Sequence, residues 1–193
     1  MLTNKAKSVD EAAASITKND GAKEGLRGGG VFQIECRDKD GNLKWTAESH
    51  NLVVDVGLQD MNTQYFKGVS YTAAWYIGLY GAAASNTPAG SDTMALHPGW
   101  IEITPYSNAT RPAATFGTAS TADPSIITNS ASPAQYNINA TATVGGAFLV
   151  SNSTKGGSTG ILFSAADFQA PGDRNVTSGD TLNVTYTFSL DAA

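Results

Sequence analysis

Thr181-Leu-Asn-Val-Thr-Tyr-Thr-Phe-Ser-Leu190 decides the fold. Leu182, Val184, Tyr186, Phe188 and Leu190 alternate with Thr181, Asn183, Thr185, Thr187 and Ser189. Successive side chains of an extended chain point to opposite faces, so this run has one dry face and one wet face. It reads as a half-buried antiparallel strand. Ala134–Val144 repeats the pattern: Ala134, Tyr136, Ile138, Ala140, Ala142 and Val144 alternate with Gln135, Asn137, Asn139, Thr141 and Thr143. It too is expected to be one strand.

Working outward, Phe32, Ile34 and Cys36 alternate with Gln33, Glu35 and Arg37, and Leu43, Trp45 and Ala47 with Lys44, Thr46 and Glu48. The intervening Asp38-Lys-Asp-Gly-Asn42 supplies turn residues, which makes this a β-hairpin. Residues 71–80 are apolar on both faces and predict a strand buried between layers. Shorter strands are expected at 99–104, 113–116, 147–151 and 161–163, with Gly145-Gly146 marking a bend or bulge. Between 54 and 66, Val56, Met61, Tyr65 and Phe66, with Leu58 nearby, approximate one side of a helix. Eight to ten short strands with one helix predict an all-β fold, an antiparallel β-sandwich or jelly-roll-like domain.

Residues 1–30 differ. They end in Gly28-Gly29-Gly30 and lack large aromatics. Ser8-Val9-Asp10-Glu11 has capping-box spacing before an Ala-rich stretch, which predicts a short helix to about Lys18. A helix that short is marginal alone in water. The division expected is therefore a flexible N-terminal arm at 1–30 and a β-sandwich domain at 31–193. Deleting 1–27 is then expected to leave a folded domain.

Charge follows the same division. The 193 residues carry 12 Lys and Arg against 17 Asp and Glu, a net charge of −5. Residues 1–50 hold 8 of each sign, while the remainder holds only 4 basic and 9 acidic groups. A non-specific nucleic-acid partner needs a basic surface, so none is expected. No run of 18 apolar residues occurs, so no membrane span is expected. One cysteine, Cys36, allows no internal disulfide, and the N-terminus has no secretory pattern; a reducing cytosol is the expected place of folding.

Catalytic motifs are wanting. His50 and His97 have no second ligand at zinc spacing. Asp38–Asn42 begins like a calcium loop, but Gly41 falls at loop position 4 and Ser49 at position 12, so a hairpin turn is the better reading. There is no Gly-x-Ser-x-Gly elbow, and the glycine-rich stretches match neither a Rossmann fingerprint nor a P-loop. No enzyme activity, metal or cofactor is expected. Most aromatics fall at inward alternating positions; Trp100 and Tyr106, beside irregular segments, are the expected exceptions and candidate partner contacts. Leu26, Arg27 and Phe32 form an expected apolar–cationic cluster where the arm meets the domain.

His50-Asn-Leu-Val-Val-Asp-Val-Gly-Leu58, residues 71–79, Asp92-Thr-Met-Ala95, Gly99-Trp-Ile-Glu102 and Tyr106-Ser-Asn-Ala-Thr-Arg-Pro112 carry a resemblance, completed by Gly146-Ala-Phe-Leu149 and Ser178–Phe188. The sequence resembles a family of small tailed-bacteriophage virion proteins found beside the major capsid protein. The resemblance implies a capsid decoration, or cement, protein at the virion surface, synthesised in the host cytoplasm. Its implied partners are the major capsid protein and itself, as a dimer or trimer. The alternatives are a head- or tail-fibre component or adhesin that binds a host glycan through surface aromatics such as Trp100, and a hydrolase acting on envelope polymers.

Overall fold

The first and last strands of the described chain lie side by side. The computed structural model describes residues 26–68, 74–81, 87–169 and 172–192. The helix expected at 8–18 and the first three residues of the strand expected at 71–80 lie outside them. In chain order the strands are β1 (Leu26–Arg37), β2 (Leu43–His50), β3 (Leu52–Val53), β4 (Tyr76–Gly81), β5 (Ile101–Glu102), β6 (Ser125–Thr128), β7 (Ala134–Asn137) and β8 (Ala142–Val144). They continue with β9 (Gly146–Val150), β10 (Leu162–Asp167), β11 (Arg174–Val176) and β12 (Thr181–Ala192), and helix α1 (Asp55–Lys67) follows β3. Every strand pair is antiparallel. The chain is an all-β sandwich with one short helix.

The first sheet runs β2-β1-β12-β6, with β7 also on β12. β1 and β12 are in register from Leu26↔Ala192 to Arg37↔Thr181. On its other side β12 meets β7 along Thr181–Val184 and β6 along Thr187–Leu190. Buried Asn129 fills the gap. Its Oδ1 accepts from Tyr186 N at 2.7 Å and its Nδ2 donates to Val184 O at 3.3 Å, so two backbone groups that no strand reaches are paired.

The second sheet runs β3-β10-β9-β4-β5 and is buried on both faces. Ile77, Leu79, Ala147, Leu149, Phe163 and Ala166 face the first sheet in the main core. Tyr80, Phe148, Val150, Leu162 and Ala165 face the other way, into a second cluster with Val54, Met94 and Trp100. β10 shifts register between Leu162 and Ser164, so Phe163 and Ser164 both face inward, as a bulge requires.

Several expectations shift for physical reasons. Gly28–Gly30 belongs to β1, so the boundary expected at residue 30 falls inside the first sheet. A deletion of 1–27 would remove two rungs of the β1–β12 ladder. Gly28 and Gly30 serve β1 by lacking a side chain: a Cβ on Gly30 would lie 2.5 Å from Tyr186 Oη, and one on Gly28 3.2 Å from the Phe188 ring. The alternating run 134–144 is two strands in different sheets, joined through an exposed Ala140. The expected strand at 113–116 is reduced to one bridge, Ala113 to Tyr76.

Helix α1 forms where expected but presents a different side. Val54 is buried and its N–H donates to Phe163 O at 3.1 Å, anchoring the first turn. Asp55 and Lys67 complement the helix dipole at the two ends, and Gly68 ends the helix at φ 61°, a left-handed conformation that glycine adopts without strain. Contact with β10 runs through Gly57, while Tyr65 and Phe66 are exposed at 85% and 77%. A Cβ on Gly57 would lie 2.4 Å from Phe163 O. Helix propensity alone favours Ala over Gly by about 1 kcal/mol. Overpacking against backbone reverses that sign, so Gly57→Ala is expected to destabilise the domain by roughly 1–2 kcal/mol. A urea unfolding midpoint at or above the parent's would show that the helix is free to lift off β10.

Candidate functional site

Of the residues singled out in the sequence, Trp100 and Tyr106 are not at the surface. Each is only 1% exposed. The segment 87–100 folds over the outer face of the second sheet and turns Trp100 inward, 5.1 Å from the Tyr80 ring and 4.9 Å from Phe148. Its indole N–H donates to Asp92 Oδ2 at 2.9 Å, and His97 stacks on it at 3.8 Å. Tyr106 packs edge-on against Tyr136 at 5.0 Å, under Lys155, whose ammonium lies 4.4 Å from the ring centroid. The expectation of surface aromatics at these two positions is overturned. An irregular segment that lies across a sheet is a cover, and its aromatics are the inner surface of that cover.

The expected Leu26–Arg27–Phe32 cluster does not assemble. Arg27 faces the opposite side of β1 from the other two, and six residues of strand separate Leu26 from Phe32 by roughly 20 Å. Phe32 is buried against Tyr186 at 4.5 Å. Leu26 is 69% exposed and has a different set of neighbours.

Those neighbours form the apolar groove of the described structure, about 760 Å³ in volume. Its walls are the C-terminal half of α1, with Met61, Tyr65 and Phe66, and the end of the first sheet, with Leu26, Ile127 and Leu190. Its floor is the main core itself, through Leu149, Phe163, Tyr186 and Phe188. Tyr65 and Phe66 pack edge-to-face at 4.9 Å and 86° on the rim. Among the described residues, α1 is pinned at its first turns, and its last turns form one wall of the groove at this end of the sandwich. Sequence reading placed Tyr65 and Phe66 on the helix and Leu26 near the entrance of the arm. Nothing local reveals that they share a groove, because the sheet brings them together.

The outer face of the first sheet is polar. Gln33, Glu35, Thr46, Glu48, Asn183 and Thr185 line a furrow of about 520 Å³, with Gln33 Nε2 donating to Glu48 Oε2 at 2.9 Å. It carries no aromatic ring on which a sugar could stack.

Buried charge serves to hold loops. Arg111, fully buried, donates to both oxygens of Glu102 at 2.9 and 2.6 Å and to the carbonyls of Asn152 and Gly157 at 2.8 Å each. Its guanidinium lies 5.2 Å from the Phe148 centroid. Asp38 Oδ1 accepts from the N–H groups of Asp40 and Asn42, so this carboxylate orders the hairpin turn. Among the described residues no group of three or more His, Cys, Asp or Glu converges as metal ligands would. Comparison with family models, curated proteins and solved structures returned no match to this chain.

At the opposite end of the sandwich, Asp180 ties β12 to β2. Its Oδ2 accepts from Lys44 Nζ at 2.5 Å and from Thr177 N at 2.8 Å, and Cys36 Sγ lies 3.9 Å away. Burial, with Asp180 beside it, pushes the Cys36 thiol up to about 11. Burial also opposes the charge on Asp180, but the hydrogen bonds from Lys44 and Thr177 outweigh it and hold the carboxyl below its ordinary value. A carboxyl whose folded pKa is lowered contributes stability above its unfolded value, near pH 4, and loses it as pH falls through the folded value. Asp180→Asn is therefore expected to be less stable than the parent at pH 7, with the gap narrowing below about pH 4. Urea midpoints at pH 7, 5 and 3 test this; a gap constant with pH would show that the Asp180 charge contributes nothing.

Proposed function

We propose that the protein is a non-enzymatic structural component of a tailed-phage virion, a decoration or cement protein that docks on the lattice of the major capsid protein. One observation carries the docking surface: the apolar groove rimmed by Leu26, Tyr65 and Phe66. A contiguous apolar patch at the surface is an ordinary mark of a protein–protein contact. The residue resemblance to small virion proteins supplies the identity of the partner. A cement adds contact area across joints of the shell, and each contact raises the barrier to rupture. A rigid sandwich suits that role, since a preformed face loses little entropy on docking. Self-association as a dimer or trimer belongs to the same reading.

The adhesin reading loses the support it had. Trp100 and Tyr106, its expected glycan platform, are buried, and the edge-to-face Tyr65–Phe66 pair offers no flat stacking surface.

Particles stripped of the protein and incubated with Phe66→Asp chain are expected to bind it about 30-fold more weakly than the parent, the loss of roughly 2 kcal/mol typical of an aromatic interface anchor. Folding stability of the exposed variant should stay within about 0.5 kcal/mol. Equal binding would place the docking face elsewhere. A cryo-EM copy number showing the protein only at the tail tip would overturn the cement reading itself.

A further inference from the structure

Gly145-Gly146 is met by a carboxylate on each of two neighbouring strands. Gly146 lies directly opposite Tyr80 on β4 and directly opposite Asp167 on β10. Directly opposed residues of adjacent strands carry their side chains on one face. Tyr80 and Asp167 therefore share the face of the second sheet that bears Phe148 and Ala165, with no side chain on Gly146 between them. The Tyr80 ring lies over Gly146: a Cβ there would fall 2.2 Å from Tyr80 Cζ and 2.3 Å from its Oη, and 2.2 Å from Ala166 O on β10. The hydroxyl is thus carried across β9 to the residue before Asp167. The second carboxylate comes with β11. Arg174 pairs with Val144, so Asp173, one residue earlier, stands at the position opposite Gly145. Phe168 N donates to Gly145 O at 2.8 Å. The chain leaves Gly145 just after Asp167 and is back beside it at Asp173.

Tyr80 is fully buried, and its Oη has no hydrogen-bond partner among the described residues. Asp167 forms no ion pair among them. The nearest cation in sequence, Arg174, directs Nη1 to Gly172 O. Burial, with the charge of Asp173, raises the Asp167 carboxyl above its ordinary value, and burial with both carboxylates raises the Tyr80 hydroxyl. Two like charges and an unengaged oxygen around one place are completed by a cation. We propose that Asp167, Asp173 and Tyr80 Oη bind a calcium ion beside Gly145-Gly146. All three donors are hard oxygens, and two carboxylates balance a divalent charge. Calcium takes about six to eight oxygens in flexible geometry and fills its shell with water or carbonyl groups, whereas magnesium demands a near-ideal octahedron. Asp173 is exposed, so water reaches the ion from its side. With only two charged ligands the site belongs among weak calcium sites, with a Kd of about 0.1–1 mM. No local spacing announces it, because three strands bring the groups together.

The site shares no residue with the apolar groove and does not depend on the cement reading. The full-length chain in about 5 mM CaCl2 is expected to melt about 3–5 °C above the same chain in EDTA, the shift for a site filled at roughly ten times its Kd. No shift would overturn the site. Equal shifts from MgCl2, or from NaCl at matched ionic strength, would show mere screening of the two carboxylates and overturn it as well. Terbium in place of calcium should luminesce on excitation of Tyr80 and Trp100, whose rings lie 5.1 Å apart. Asp167→Asn is expected to abolish the calcium shift and the terbium signal while melting no lower than the parent in EDTA, because without the ion its charge opposes folding at neutral pH. A lower melting point in EDTA would show Asp167 engaged by the fold itself and would count against the proposal. Tyr80→Phe, which removes only Oη, should raise the calcium midpoint several-fold; an unchanged midpoint would overturn the three-group assignment.

Discussion

Aromatic rings laid over glycines set the spacing on which the sandwich depends. Gly78 faces Phe148 and Gly146 faces Tyr80 across the β4–β9 pair, where a Cβ would fall 2.0 and 2.2 Å from the opposing ring. Gly30 under Tyr186 and Gly28 under Phe188 repeat the device in the first sheet. In each case the ring lies down on the backbone of its neighbour instead of standing away from the sheet. Glycine costs strand stability because it has no side chain to pack. The covering ring returns that loss by shielding the bare backbone and its hydrogen bonds. The cover formed by 87–100 can then sit close to the second sheet, because Tyr80 and Phe148 are flat beneath Trp100.

Few charged residues occupy the body of the protein, and several of those present are buried in structural roles. Arg111 and Glu102 cross-link β5 to the loops at 152 and 157, and Gly156 N adds a bond to the same carboxylate. Removing one partner of such a pair leaves a buried charge uncompensated, a loss of about 3–5 kcal/mol. Asp92 holds the Trp100 indole and the Ala89 N–H in the same manner. These groups have their hydrogen-bonding capacity engaged by the fold. Exposed apolar side chains such as Leu96 and Ile101 stand elsewhere on the exterior, while Leu26, Tyr65 and Phe66 gather at the groove.

The parts of the fold legible in the sequence are those whose period is unbroken. The hairpin from Phe32 to Ala47 and the strand Leu182–Leu190 were readable because alternation specifies a face. Alternation does not specify a sheet, so 134–144 looked like one strand although it changes sheets near Ala140. β6 and β11 were invisible: each is too short for a period, and Arg174-Asn-Val176 has one apolar residue. The glycine triplet at 28–30 read as a linker because the rings that justify it, Tyr186 and Phe188, are far away in sequence. The groove was hidden for the same reason, since its walls come from β1, α1, β6 and β12.

The pairing of β1 with β12 also has a consequence in time. β1 leaves the ribosome long before β12 has been translated, so the central ladder of the first sheet cannot close during most of synthesis. Until then the apolar edge of β1 and the β1–β2 hairpin have no permanent neighbour, and folding waits on one of the longest-range contacts the chain can make. Topologies of this kind fold slowly and depend on escaping premature association. In a cell producing many copies at once, the interval between the first strand and the last is when the nascent chain most needs protection.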